Sequence, residues 1–243
     1  MSLKFRREEL LVYENYVSRK SKLLKNFDKS VARVGPMLVA RIGEEQAKAL
    51  IMASRREYET LIPQIPYIGG NNPFLIFLFP ASRYLAIYRA MQANGRTLED
   101  TGQLIHAING AALKAIPWFV RRMIGYLMFS RWFSGRLKKR AAEFQERKYP
   151  GGYILTYVEG NGRDFDFGID YTECASCKFL RAQNALELAP YLCSMDKAVS
   201  DMMGWGLSRT MTLAEGREKC DFRFKKVGKT NVALPQSLMQ VDK

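Results

Sequence analysis

The chain has 243 residues, 47% of them hydrophobic, and a formal net charge of +14 at pH 7. This length allows one large domain or two modest ones, and the hydrophobic content is sufficient for a buried core. A single histidine excludes a histidine-rich metal site. The longest apolar run, from Pro73 to Ala81, falls short of the about 20 residues that a membrane-spanning helix needs.

All of the excess positive charge belongs to the first part of the chain. Residues 1–140 contain 24 Lys and Arg against 10 Asp and Glu, whereas residues 141–243 contain 14 of each. The first residues lack the charged and apolar regions of a secretion signal, so we expect a cytoplasmic protein with reduced cysteines.

Helical patterns dominate the first 148 residues. Residues 44–60 combine strong helix formers with apolar side chains at helical spacing. Thr97 and Asp100 predict a capping box at the start of a further helix. Pro117 predicts the start of a last long helix that runs toward Lys148.

The chain after residue 148 carries strand patterns. Two strands at 153–158 and 163–170 flank a Gly-Asn-Gly turn and predict a hairpin. A helix interrupted at Pro190 is predicted over 178–203, followed by strands at 207–213 and 220–227. The remaining residues, 228–243, are predicted to form a loose tail.

The predicted fold class is therefore α+β, with a helical N-terminal half followed by a small antiparallel sheet with covering helices. We divide the chain into a strongly basic helical region, 1–148, and a cysteine-containing α+β domain, 149–243.

All four cysteines lie in the last third of the chain, at Cys174, Cys177, Cys193 and Cys220. The first two form a C-x-x-C motif between a predicted strand and a predicted helix, where the helix N-terminus favours a thiolate. Metal, redox and nucleophilic roles all remain open for the pair. The spacings of fifteen and twenty-six residues to the other two match a zinc ribbon poorly. An all-cysteine zinc site, an iron–sulfur cluster and simple burial of small side chains stay as alternatives.

Charged residues accompany these cysteines. Asp196 follows Cys193 by three positions on a predicted helix, so both project from one face. Arg209 alternates with apolar residues on a predicted strand, an unusual place unless it meets an anion. Asp221 and Arg223 share the polar face of the next strand. Ion pairs among these residues are the alternative to ligand binding.

The segment 118–140 is basic, aromatic and amphipathic. This pattern is typical of a helix on an anionic membrane surface, which would make the protein peripheral to a membrane. A nucleic-acid patch is the less favoured interpretation, and a helix with one solvated basic side is the simplest one. The sequence does not indicate an oligomeric state.

Four separated pieces of the C-terminal third resemble the L-2-amino-thiazoline-4-carboxylic acid hydrolase family. They occur in the family's order as the Cys174/Cys177 pair, ELAPYLCSMD at 187–196, RTMTLAEG at 209–216 and CDFRF at 220–224. The GGNN loop further upstream is compatible with the family but less diagnostic.

The resemblance implies hydrolytic opening of a 2-aminothiazoline or related cyclic amidine or amide acid, acting at carbon–nitrogen bonds without a cofactor. A cysteine would attack the amidine carbon, a carboxylate would hold the amino group and an arginine would bind the substrate carboxylate. The expected catalytic residues are Cys177, Cys193, Asp196 and Cys220. The expected substrate-binding residues are Arg209, Thr210, Asp221, Arg223, Asn71 and Asn72.

A second resemblance gives an alternative from another functional class. The late cysteines on a sheet with covering helices are also similar to four-vinyl-reductase-like sensor domains, which bind small molecules beside a zinc ion. In that case Cys174, Cys177, Cys193 and Cys220 would be metal ligands.

Overall fold

The computed structural model describes residues 16–239. Helices dominate residues 16–148, as the sequence predicts. Their bounds are α1 Lys20–Ala32, α2 Gly35–Ile42, α3 Glu44–Leu61, α4 Leu75–Ala93, α5 Leu98–Lys114, α6 Trp118–Met128 and α7 Arg131–Gln145.

The start of α5 has the predicted capping box. The backbone N–H of Asp100 donates to the Thr97 hydroxyl at 3.1 Å, and the Thr97 N–H donates back to the Asp100 carboxylate at 3.1 Å. Two donors at the helix end are thereby satisfied.

The single long helix predicted after Pro117 is wrong, because the chain forms two helices there. Ser130 has an extended backbone, and its hydroxyl accepts a hydrogen bond from the Phe133 N–H at 3.2 Å. Serine is a preferred N-cap residue, so it ends α6 and starts α7.

Five strands form one sheet, in the order β1-β2-β4-β3-β5. Their bounds are β1 Ile154–Glu159, β2 Phe167–Glu173, β3 Gly206–Arg209, β4 Cys220–Lys225 and β5 Asn231–Val232. The predicted hairpin is present as the antiparallel pair β1 and β2. The α+β fold class is confirmed.

The sheet differs from the prediction at its β5 edge. Residues 231–232, in the predicted loose tail, pair with β3 in parallel, so the sheet is mixed. The chain reaches this edge by passing close to the start of β3, where a Cβ on Gly206 would lie 2.9 Å from Gly228. Two glycines thus permit a close approach that larger residues would block.

The helix predicted over 178–203 is also divided. It forms α8 Ala175–Ala182, α9 Ala189–Cys193 and α10 Met195–Met203, and the short helix α11 Gln236–Met239 follows β5. Asn184 has a φ of 53°, a left-handed conformation that ends α8. Pro190 lies at the beginning of α9, where its missing N–H costs nothing.

Side-chain alternation gives the sheet one apolar and one polar face. Ile169 lies opposite Phe222, and Tyr171 lies opposite Cys220, on the apolar face. That face belongs to a core that runs from Tyr16 to Val232. On this face Phe167, Ile169, Cys220 and Phe224 are buried, whereas Tyr171 and Phe222 keep partial exposure.

Candidate functional site

Four different positions of the C-terminal region bring the thiols together. Cys174 precedes α8 as its N-cap residue, Cys177 lies within α8, Cys193 ends α9 and Cys220 begins β4. All four are free thiols. We call them the cysteine cluster, because each lies close enough to another for its charge to affect that neighbour's pKa.

Cys174 is the thiol whose surroundings favour the charged form. The Cys177 thiol faces its Sγ as a donor, and the backbone N–H groups of Cys177 and Ser176 point toward it. Although no N-cap hydrogen bond is formed, these groups hold the pKa of Cys174 below its ordinary value of 9.0 despite burial. Cys174 retains partial exposure. Of the four thiols, it is the one whose pKa is lowered.

The other three thiols are held in the neutral form. Donation to Cys174, followed by burial, raises the pKa of Cys177. Burial and then the nearby Asp196 carboxylate raise the pKa of Cys193. Burial raises the pKa of Cys220 to about 11, although the Leu213 N–H donates to its Sγ at 3.2 Å. Neutral thiols are poor nucleophiles.

Asp196 and Arg209 form an ion pair beside the cluster. Arg209 extends from the end of β3 toward the apolar face, and its side chain is 4% exposed, against 27% for Asp196. The Arg209 Nη1 atom, which pairs with Asp196, also donates to the Cys193 carbonyl at 3.2 Å. The guanidinium lies 5.4 Å from the centre of the Phe222 ring. Arg209 thus connects α10, α9 and the sheet.

The pKa of Asp196 is raised from 3.8 to about 6. Burial of the carboxylate is the main cause, and the charge and hydrogen bond of Arg209 oppose it only in part. A carboxyl group that titrates near pH 6 can hold or transfer a proton close to neutral pH.

Two tyrosines and a serine complete this site, and the sequence analysis did not single them out. The hydroxyls of Tyr153 and Ser176 lie 2.8 Å apart, next to Cys174. Tyr171 borders Cys174 and Cys220 on the apolar face, and burial raises its pKa. The one sequence signal for Ser176 is its position inside the C-x-x-C motif. The two tyrosines resemble ordinary strand residues, so the sequence offers no signal for them.

Asp221 and Thr210 meet each other instead of facing the cluster. The Asp221 carboxylate accepts from the Thr210 N–H at 2.8 Å, the Thr210 hydroxyl at 2.6 Å and the Met211 N–H at 2.8 Å. Burial would raise the pKa of Asp221, but these hydrogen bonds outweigh it and the pKa is lowered. The contacts fix the loop that follows Arg209.

Arg223 lies on the polar face of the sheet. Its Nη1 donates to Asp170 at 2.7 Å, and Lys219 pairs with the other oxygen of the same carboxylate at 2.7 Å. Strand alternation points Arg223 away from Cys220 and Phe222. The structure therefore does not bring Arg223 together with the cysteine cluster.

Asn71 and Asn72 line a separate cavity of about 370 Å³ between the 68–73 loop and the end of α7. The Asn72 amide donates to the Ile68 carbonyl at 2.6 Å, and its oxygen accepts from the Phe74 N–H at 2.9 Å. Tyr153 borders both this cavity and the cysteine cluster. This cavity is thus a neighbour of the thiols, and no cysteine lines it.

Within residues 16–239, no group of three or more His, Cys, Asp or Glu side chains is arranged to hold a metal ion. Over the same residues, no helix is both long enough and apolar enough to cross a membrane.

Fold and site together define an α+β protein with a half-buried cluster of thiols next to a carboxylate–arginine pair. The chain belongs to the L-2-amino-thiazoline-4-carboxylic acid hydrolase family, whose model matches residues 81–224. This match contains the cysteine cluster, Asp196 and Arg209. No curated protein and no solved structure matches the chain.

Proposed function

We propose that the protein is a hydrolase that opens the ring of a 2-aminothiazoline-like or related cyclic amidine acid, with Cys174 as the nucleophile. The observation that carries this proposal is the environment of Cys174. The residue lies at the start of α8 with a lowered pKa, and Asp196 lies near the same thiols. Family membership supports the substrate class.

The substrate presents an electrophilic carbon bonded to the ring sulfur, the ring nitrogen and the exocyclic nitrogen. The Cys174 thiolate forms a bond to this carbon, and the carbon–sulfur bond of the ring breaks because a thiolate is a better leaving group than a nitrogen anion. A proton of the amidinium passes to the leaving sulfur. The product of this step is an isothiourea linked to Cys174, with all substrate atoms retained.

Water completes the reaction. Its oxygen bonds to the isothiourea carbon, one of its protons moves to the amidine nitrogen and the other is released to solvent. The bond to Cys174 then breaks, which regenerates the thiolate and leaves a ureido acid that carries a free thiol. The carbon–nitrogen bonds of the amidine remain in this product.

Asp196 is assigned to the amidine end of the substrate. Its ionised form attracts the amidinium, and its pKa of about 6 keeps it mostly ionised at neutral pH. Arg209 is first a positioning residue, because it holds Asp196 and the Cys193 carbonyl through one nitrogen. We assign the rest of its planar guanidinium to the substrate carboxylate.

The test is turnover of L-2-amino-thiazoline-4-carboxylate by the purified full-length chain, with the ureido product measured by mass spectrometry in quenched samples. Cys174→Ser should reduce the rate by at least about a thousandfold, as expected for loss of a nucleophile. Cys220→Ser is the matched control, since its thiol is neutral and hydrogen-bonded to the Leu213 N–H. It should keep most of the activity.

Two results would count against the proposal. Absence of turnover of this acid and of related cyclic amidine acids would remove the proposed function. Loss of activity in Cys220→Ser with activity retained in Cys174→Ser would show that another thiol attacks. Stoichiometric zinc in protein purified without chelator would instead support the sensor alternative.

A further inference from the structure

Helix α6 presents its apolar side to solvent. Trp118, Phe119, Met123 and Tyr126 have exposures of 70%, 60%, 54% and 69%, and no residue of the helix is buried. These positions recur at the spacing of one helix face. A surface helix normally turns its polar side outward, so α6 shows the reverse of the ordinary arrangement.

The inner side of α6 explains how this orientation is held. A Cβ on Gly125 would lie 2.5 Å from the Met203 carbonyl oxygen at the end of α10. The helix backbone therefore approaches α10 closely through a glycine. Phe119, Met123 and Tyr126 project from other sides of the helix, whereas Trp118 lies two turns before Gly125 on the same side and is exposed at the helix start.

Neighbouring elements extend the same surface and add cations to it. Trp132 at the start of α7 is 66% exposed, and the Arg136 guanidinium lies 5.3 Å from its ring centre. The Lys226 ammonium lies 5.2 Å from the ring centre of Tyr126, and the adjacent Val227 is 82% exposed. We call this surface the docking face; it comprises Trp118, Phe119, Arg122, Met123, Tyr126, Leu127, Trp132, Arg136, Lys226 and Val227.

The surrounding sequence has one sign of charge. Residues 101–142 contain eight Lys and Arg and no Asp or Glu. Lys138 and Arg140 pair with Glu159 and Glu143, which lie outside that range. Two cations of the docking face, Arg136 and Lys226, instead lie over aromatic rings of that face.

We propose that the docking face binds the surface of an anionic lipid bilayer, with α6 lying in the plane of the interface. Exposed Trp and Tyr rings are suited to the boundary between acyl chains and headgroups, and the cations match anionic headgroups. A second copy of the chain would bring the same cations against each other in a two-fold interface. A nucleic-acid site would present mainly cations, whereas the exposed side chains of α6 are mainly aromatic and aliphatic.

The experiment is co-sedimentation of the full-length protein with vesicles of phosphatidylcholine alone and with 30 mol% phosphatidylglycerol. Binding should require the anionic lipid and weaken steeply with salt. The variant Arg122→Gln/Arg136→Gln/Lys226→Gln should bind about a hundredfold more weakly, since each cation near the surface contributes roughly fivefold. The matched control is Lys22→Gln/Lys25→Gln/Lys29→Gln on exposed positions of α1, which should bind like the wild type.

A second variant tests the apolar contribution. Trp118→Ser/Phe119→Ser keeps all charges and should also lose most binding, while circular dichroism shows an unchanged fold. Tryptophan fluorescence of the wild type should shift to shorter wavelength with anionic vesicles. Trp118 and Trp132 are exposed and can report insertion, whereas Trp205 is buried.

Several outcomes would overturn the proposal. One is that the α1 control loses as much binding as the docking-face variant. Another is that the protein binds vesicles that contain no anionic lipid. The third is that the protein does not bind vesicles but dimerises through this face or binds RNA. None of these results depends on hydrolytic activity, so failure here and failure of the proposed function are distinguishable.

Discussion

A glycine on α5 controls the position of the helix that carries Cys193. A Cβ on Gly102 would lie 2.1 Å from two carbons of the Tyr191 ring on α9, whereas a Cβ on Gly110 of the same helix would meet nothing within 4 Å. The Tyr191 side chain is buried, and its hydroxyl lies 3.1 Å from that of Ser237. The substitution Gly102→Ala therefore forces the ring to move by more than 1 Å to reach ordinary contact.

The two substitutions should differ in their effect on the free energy of unfolding. Replacing glycine by alanine inside a helix stabilises by about 1 kcal/mol, which is the full expected effect of Gly110→Ala. At Gly102 the overpacking against Tyr191 costs about 1–3 kcal/mol and offsets that gain. The difference between the variants isolates the contact, and we expect Gly102→Ala to be the less stable by about 1–3 kcal/mol.

The assay is urea unfolding followed by circular dichroism, with the free energies compared at similar m-values. Since α9 ends at Cys193, whose carbonyl accepts from Arg209, Gly102→Ala should also lower the hydrolysis rate, and Gly110→Ala should not. Equal stability of the two variants would refute the close packing of α5 against Tyr191.

Three further predictions concern the site. Cys177→Ala removes the thiol that faces Cys174, so the pKa of Cys174, read from the pH dependence of its alkylation, should rise; an unchanged midpoint would mean that Cys177 does not stabilise the thiolate. In the wild type, kcat/KM should fall as the pH drops below about 6, because protonation of Asp196 removes its charge, and Asp196→Asn should lose this acid limb. Persistence of the limb in that variant would assign it to another group. Arg209→Lys keeps the charge but loses the planar fork, so KM should rise about tenfold or more, whereas an unaltered KM would leave Arg209 with a structural role alone.

Local signals predicted much of the fold. The capping box at Thr97 and Asp100 and the hairpin are short-range patterns, and the structure has both. Alternation along β4 predicts Arg223 on the polar face, and Cys220 lies on the opposite, apolar face. The fold class follows from the same patterns, since the change from helical to strand spacing near residue 149 marks where the sheet begins.

Long-range features could not be predicted in the same way. The strand order sets β4 between β2 and β3, and only this order brings Cys220 next to Tyr171 and Arg209 toward Asp196. The role of Cys174 depends on where Cys177 and two N–H groups point, which the C-x-x-C spacing leaves open.

The orientation of α6 could not be predicted from the sequence for a different reason. Its amphipathic pattern is normally resolved by turning the apolar side inward. In this protein Gly125 lies against the Met203 carbonyl, and Phe119, Met123 and Tyr126, which project from other sides of the helix, are exposed.

The most direct test of the central claim is to identify the residue that becomes bonded to the substrate. The protein is mixed with L-2-amino-thiazoline-4-carboxylate, quenched within the first turnover and digested, and the adducts are located by peptide fragmentation. Our account predicts an adduct with the full mass of the substrate on Cys174, absent in Cys174→Ser and present in Cys220→Ser. An adduct on Cys193 or Cys220, or turnover without Cys174, would contradict it.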